Sequence, residues 1–238
     1  MRAAEIQDDL AQILVTEEQI LAKLDELATQ VAADYEGKEL LLVGVLKGAV
    51  MVMADFARAL PFHAPMDWMA VSSYGTSTKS SGVVQIRKDL DSDLNGKHVL
   101  IVEDIIDSGL TLSWLLENFG SRGAESIEVL ALLRKPEAAK VKIDCKYVGF
   151  DIPNESVVGY GLDYAERYRN LRDVAVLAPH VYAGCTHRSL SEERSDETKR
   201  VSSRFARSTA GGEAAGYAVG ERTADRKDAR DTLIRSWM

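Results

Sequence analysis

One stretch constrains this chain more than any other: Val99 to Thr111, reading VLIVEDIIDSGLT. Four consecutive apolar residues suit a strand at the centre of a parallel sheet covered on both faces. The acids Glu103, Asp104 and Asp107 follow where such a strand must surface, and a small-residue turn then opens a helix. Ligands in open α/β sheets bind just outside the carboxyl ends of the strands, so chemistry is expected here. Asp107-Ser108-Gly109-Leu110-Thr111 has the make-up of a phosphate cradle: glycine lets amides turn inward, the hydroxyls donate, and the helix N-terminus adds partial positive charge. Neither G-x4-G-K-S/T nor G-x-G-x-x-G is present, which excludes the common nucleotide loops. Three carboxylates beside a phosphate would repel it unless they face ribose hydroxyls, a divalent cation or a transferable proton.

The rest of the chain supplies the sheet that such a strand needs. Thr16-Glu17-Glu18-Gln19 has the pattern of a capping box, and Ile20, Leu24, Leu27 and Val31 follow at helical spacing, predicting an amphipathic helix that ends near Gly37. Leu40 to Leu46 reads as a buried strand, Gly48 to Leu60 as the next helix, and Met66 to Ser72 and Val83 to Leu90 as further strands. Between those two, Ser73 to Gly82 is polar and aperiodic, the composition of a mobile loop. A helix after Thr111 closes at Gly120 or Gly123, and Ile127 to Leu133, Tyr147 to Ile152 and Val157 to Leu162 complete the strands. Strands alternating with helices predict a mainly parallel sheet.

After about Gly184 the character changes. The chain carries 18 basic and 28 acidic residues before Cys185 but 11 and 9 from there on, with hardly any apolar clusters. Such a segment cannot bury enough apolar surface to offset its ordering entropy, so residues 185–238 are expected to be a flexible tail to a domain of residues 1–184. The net charge of -8 argues against nucleic acid as a partner. No apolar run is long enough to span a bilayer and no signal-like start is present, so no membrane association and a cytoplasmic location are expected. Cys145 and Cys185 stand far apart without partners at metal-ligand spacing, which excludes a zinc framework.

VLIVEDIIDSGLT resembles the phosphoribosyl pyrophosphate (PRPP) binding motif of type I phosphoribosyltransferases, in the form carried by their hypoxanthine-guanine branch. The resemblance extends over about Thr16 to Tyr182. It implies an α/β fold, a mainly parallel sheet flanked by helices, with a small hood formed by the segments around Lys135 to Asp163. It implies transfer of phosphoribosyl from PRPP to a 6-oxopurine, with Mg2+ as cofactor and a homodimer or homotetramer as the assembly. By the same resemblance Glu103 and Asp104 contact the ribose hydroxyls, Asp107 is the catalytic acid or base at purine N7, and Asp107, Ser108, Gly109, Leu110 and Thr111 hold the 5'-phosphate. Lys47, Gly48 and Arg169 would bind pyrophosphate, the Leu46-Lys47 peptide being often cis in the family. Ser73 and Tyr74 would belong to the loop that closes over the site. Lys135 would donate to the purine 6-oxo group, Val157 would meet the base through its backbone, and Asp163, with Glu103 and Asp104, would serve the metal. The family usually has an aromatic residue before Val-Val-Gly-Tyr, stacked on the purine, where this chain has Ser156; weaker base binding, or a neighbouring aromatic in its place, is expected from that departure.

Overall fold

The computed structural model describes residues 1–73 and 84–183. The expected closing loop from Tyr74 onward and the expected flexible tail lie outside the described residues, as do the side chains of Ser73 and Ala183.

The chain opens with a strand, β1 (Leu10–Val15), and a long helix, α1 (Glu17–Asp34). The capping box forms as its residues dictate: Thr16 Oγ1 accepts from the Gln19 amide, and Gln19 Oε1 accepts from the Thr16 amide at 2.9 Å. Then come β2 (Leu40–Leu46), α2 (Val50–Ala59), β3 (Met66–Ser73), β4 (Val84–Lys88), β5 (His98–Ile106), α3 (Leu110–Ser121), β6 (Ser126–Arg134) and β7 (Tyr147–Asp151). Two short strands, β8 (Val157–Val158) and β9 (Val174–Leu177), and a last helical turn, α4 (Pro179–Ala183), close the described chain.

Six strands form the main sheet in the order β4-β3-β2-β5-β6-β7, parallel except for β4 at the edge. Because β2 and the Val99–Val102 run of β5 are apolar at successive positions, their alternate residues serve opposite layers. Leu40, Leu42, Leu100 and Val102 pack under α1 and α2, meeting Ile20, Leu24, Leu27, Val31, Val52, Met53 and Phe56. Leu41, Val43, Ile101 and Val99 pack under α3, meeting Leu112, Leu115 and Phe119. Each such buried side chain contributes about 1.5–3 kcal/mol.

The chain runs from β2 through α2 to β3 on one side, and from β5 through α3 to β6 on the other. The β2–β5 boundary is therefore where the winding direction reverses, the crevice at which doubly wound sheets bind ligands.

Three expectations are corrected. β5 does not surface after Val102: its ladder with β6 continues through Ile105↔Leu133 and Ile106↔Arg134, and Glu103 is only 9% exposed. The second, three-stranded sheet, ordered β1-β9-β8, draws on the N-terminal segment and on Val174–Leu177 rather than on residues 135–163 alone, while Tyr147–Asp151 joins the main sheet instead. Val157 to Leu162 is not one strand either; after Val158 the chain turns, and an isolated bridge joins Gly159 to Leu162. Among the described residues, no helix is long and apolar enough to cross a membrane.

Candidate active site

The carboxyl ends of β2, β5 and β6 bring together side chains from five separate stretches. At the end of β2 the Leu46-Lys47 peptide is cis. Gly48, next in line, lies so close to the Asp104 carboxylate that a β-carbon there would overlap it. Gly161 in turn lies against the Gly48 carbonyl, with φ +103 and no room for a side chain. Two glycines thus let the Asp104 carboxylate at the end of β5 close on the β2 turn, and let the turn after β8 meet that turn backbone to backbone.

The segment from Gly161 to Arg169 is a tight knot built on hydrogen bonds to Asp163 and Arg169. Arg169 Nη1 donates to the Gly161 carbonyl at 2.8 Å, and Nη2 pairs with Asp163 Oδ1 at 2.6 Å. Asp163 Oδ2 accepts from the Glu166 amide at 2.8 Å. Ala165, Glu166 and Tyr168 all adopt left-handed backbone, which non-glycine residues hold only where the surroundings enforce it. Glu166 then reaches both cations of the site, 3.0 Å from Lys47 Nζ and 3.5 Å from Arg169 Nη2. Its bonds to Lys47 and Arg169 hold its carboxyl below the usual range. Arg169 Nε is buried without a hydrogen-bond partner among the described residues. One face of the crevice therefore holds two cations bridged by a single displaceable carboxylate.

The opposite face is the β5–α3 turn. Gly109 caps α3 at φ +78, a conformation that Gly adopts freely. The Ser108 carbonyl accepts from the Lys140 and Val141 amides at 3.0 and 3.2 Å, which fixes the turn from behind. Glu103, Ile105, Ile106, Asp107, Ser108, Gly109, Thr111 and Leu112 line a cavity of about 120 Å3. That is about four times water's roughly 30 Å3 share of liquid volume, room for one compact oxyanion at the start of a twelve-residue helix.

Glu103 and Asp104 divide between these two faces, as neighbours in a strand must. Glu103 lines the cavity, whereas Asp104 abuts Gly48. Burial, then the charge of Asp104, pushes Glu103 well above the usual carboxylate range. Burial likewise pushes Asp104 up to about 6; the Ile105 amide at 2.8 Å and the Arg169 cation hold it down, and the charge of Asp163 adds repulsion. Carboxyls so placed gain from hydroxyl donors or from a cation. Among the described residues no three His, Cys, Asp or Glu side chains form a closed metal cage. An ion held by one or two carboxylates and completed by substrate oxygens and water is the arrangement Mg2+ favours, and Asp104 with Asp163 fits it.

The third component is Lys135. Its amide donates to the Ile106 carbonyl at 2.9 Å, placing it beside the end of β5. The residue is 8% exposed, and its ammonium lies 4.0 Å from Asp107 Oδ2. A largely buried lysine whose ammonium has, among the described residues, one distant acid partner and no hydrogen bond is placed to meet a ligand acceptor. Val157 stands half-buried at the start of the small sheet, and Ser156 before it is exposed.

Residues 11–165 match the phosphoribosyl transferase domain family. The chain is 55% identical over 180 residues to the hypoxanthine-guanine phosphoribosyltransferase of Mycobacterium tuberculosis, covering 73% of this chain and 89% of that one. It is 51% identical over 174 residues to the enzyme of the same name from Bacillus subtilis, covering 73% and 97%. The chain belongs to the hypoxanthine-guanine phosphoribosyltransferase family.

The crystal structure of a hypoxanthine phosphoribosyltransferase from Staphylococcus aureus is similar to this fold, with a TM-score of 0.73 at 48% identity over 75% of this chain and 97% of that one. The hypoxanthine phosphoribosyl transferase of Trypanosoma cruzi follows at 0.70 and 42%, over 74% and 95%. The described site is thus the crevice of a phosphoribosyltransferase. The structure brings Lys47, Gly48, Asp104, Asp163 and Arg169 into one group, and Glu103 and Asp107 to Thr111, with Lys135, into another. Sequence reading missed Glu166; its signal was an acid spaced three residues from both Asp163 and Arg169. Tyr74 lies outside the described residues, and Ser73 closes β3.

Proposed function

We propose that this protein transfers the 5-phosphoribosyl group of PRPP to hypoxanthine, and to guanine, releasing pyrophosphate. The new bond joins a ring nitrogen of the base to the anomeric carbon as the bond from that carbon to pyrophosphate breaks. The observation that carries the reading is the placement of Lys135, a largely buried residue whose ammonium lies 4.0 Å from Asp107 Oδ2, beside the cavity that Asp107 helps to line. A donor there suits the 6-oxo group of a purine, and Asp107 beside it is placed to accept the N7 proton as the ring gains positive charge.

The remaining roles follow from charge. Ser108 to Thr111 hold the 5'-phosphate on the α3 N-terminus, while Glu103 and Asp104 take the ribose hydroxyls. Lys47, with Gly48 and Arg169, binds the leaving pyrophosphate, which displaces Glu166 from the two cations. Mg2+, held by Asp104 and Asp163 together with substrate oxygens, would neutralise charge on the leaving group. Ser73 and Tyr74 belong to the closing loop, and Val157 meets the base through its backbone. The protein works in the cytoplasm as a homodimer or homotetramer, and residues 185–238 lie outside the catalytic domain of residues 1–184.

The test is direct: purified protein, PRPP, Mg2+ and each 6-oxopurine, with formation of the nucleoside monophosphate followed spectroscopically. Product from hypoxanthine and guanine is expected. PRPP binding without product would point instead to a PRPP-sensing regulator.

A further inference from the structure

We propose that Asp55 and Tyr160 are positioning residues for PRPP: the hydrogen bond between them holds the Gly48 and Gly161 turns in the register that the pyrophosphate site needs. The inference rests on the reading above and goes beyond the residues that touch substrate.

Tyr160 sits between Gly159 and Gly161, is 5% exposed, and holds left-handed backbone at φ +49. Its amide donates to the Leu171 carbonyl at 2.8 Å, and the Gly161 amide donates to the Arg169 carbonyl at 3.0 Å. Its ring packs in the layer formed by α1 and α2, and its hydroxyl donates to Asp55 Oδ2 at 2.5 Å. Asp55 lies on α2, the helix that grows out of the Lys47-Gly48 turn; the Val50 amide donates to the Lys47 carbonyl at 3.3 Å. One hydrogen bond therefore ties the helix behind one pyrophosphate-binding turn to the residue adjoining the other. Gly161 rests on the Gly48 carbonyl and accepts the Arg169 guanidinium, so a shift of the Tyr160 turn moves Arg169 and Asp163 relative to Lys47. The other partner of Asp55, Arg58 Nη1 at 3.5 Å, is largely exposed and competes little for the carboxylate. Neither Asp55 nor Tyr160 is needed by the chemistry itself, yet both stand where a small displacement is felt at two cations.

The test compares wild type with Tyr160→Phe, Asp55→Ala, Asp55→Asn and the double variant Tyr160→Phe/Asp55→Ala, using the full chain. Tyr160→Phe and Asp55→Ala are expected to raise the KM for PRPP and the inhibition constant for pyrophosphate about tenfold, the fold-change that loss of one hydrogen bond to a charged group corresponds to. The KM for hypoxanthine should stay within about twofold, because Lys135 and Asp107 stand on other elements. Asp55→Asn keeps an acceptor oxygen and should restore most of the PRPP affinity. The double variant should be no worse than either single one, the signature of a shared contact. If Tyr160→Phe does not fold, Asp55→Ala, at a position partly open to solvent, reads the same hydrogen bond. Unchanged PRPP affinity in a folded variant, or equal losses for both substrates with a lowered melting temperature, would overturn the inference. Those results leave an active wild type, whereas an inactive wild type overturns the proposed function itself.

Discussion

Lys135→Met should move activity and stability in opposite directions. In the structure the Lys135 side chain is 9% exposed, its ammonium lies 4.0 Å from Asp107 Oδ2, and the Asp107 side chain is 60% exposed. That distance is too long for a hydrogen bond, and solvent around Asp107 screens what attraction remains. The ammonium thus gains little from Asp107 and keeps its donors for an acceptor on the base. Met has a similar length, no charge, and needs no partner. The Lys135 amide bond to the Ile106 carbonyl, at 2.9 Å, is untouched by the exchange. Losing one charge-assisted hydrogen bond to the base costs about 1.5–3 kcal/mol, or roughly a 10- to 150-fold fall in kcat/KM for hypoxanthine. The melting temperature should hold or rise, at about 2–4 °C per kcal/mol for a chain of this size. Steady-state rates with hypoxanthine varied at saturating PRPP, then with the two reversed, and a thermal melt of each protein make the assay. A fall in stability together with activity, or equal losses for both substrates, would refute the claim that Lys135 is held in readiness for the base.

The remaining predictions address charge and packing elsewhere. Asp107→Asn should slow turnover by about 10²–10⁴ while PRPP affinity changes little, and equal activity would remove Asp107 from proton transfer. Glu166→Gln should tighten pyrophosphate binding several-fold at low salt, an effect lost at high salt, because it removes the anion now shared by Lys47 and Arg169; weaker binding would count against the pyrophosphate assignment. Ser156→Phe supplies the missing stacking platform, worth on the order of 1–3 kcal/mol, and should lower the hypoxanthine dissociation constant measured by calorimetry without altering that of PRPP. Asp67 accepts from the Trp68, Asp91 and Ser92 amides at 2.7, 2.9 and 2.7 Å. Burial raises its pKa, but the Ser92 and Trp68 amides, the Ser92 hydroxyl and the Lys88 charge together leave it below the usual carboxylate value. Its stabilisation is therefore present above the unfolded pKa, about 3.9, and is lost as pH falls through the lower folded one. Urea unfolding of wild type and Asp67→Asn should differ by less as pH drops through that window, and a pH-independent difference would contradict the assignment.

Much of this was legible because it was local. The β5–α3 half of the site is one uninterrupted run from Val99 to Thr111, and strand, acids, glycine and helix start can each be read from neighbours in sequence. The strands missed, Leu10–Val15 and Val174–Leu177, pair antiparallel across more than 150 residues and are too short to announce themselves. Their sheet exists because Val158, Ala175 and Leu177 bury one another, a fact of tertiary packing that a four-residue apolar run cannot signal. Glu103 was expected at a strand end for the same reason: only the partner β6 reveals that the ladder continues past it.

The pyrophosphate half shows what a linear reading cannot supply. Lys47, Asp163, Glu166 and Arg169 acquire joint meaning only because Gly48 admits Asp104 on one side and Gly161 on the other. Both glycines are spaces, defined by what they let approach, and sequence displays a space only as the absence of a side chain. A methyl group at Gly161 would overlap the Gly48 carbonyl and part the two turns, whereas one at Gly48 would displace the Asp104 carboxylate. On the proposed reading, the affinity of this crevice for its leaving group would depend as much on two absent β-carbons, and on the Tyr160–Asp55 bond beside them, as on the cations that meet the charge.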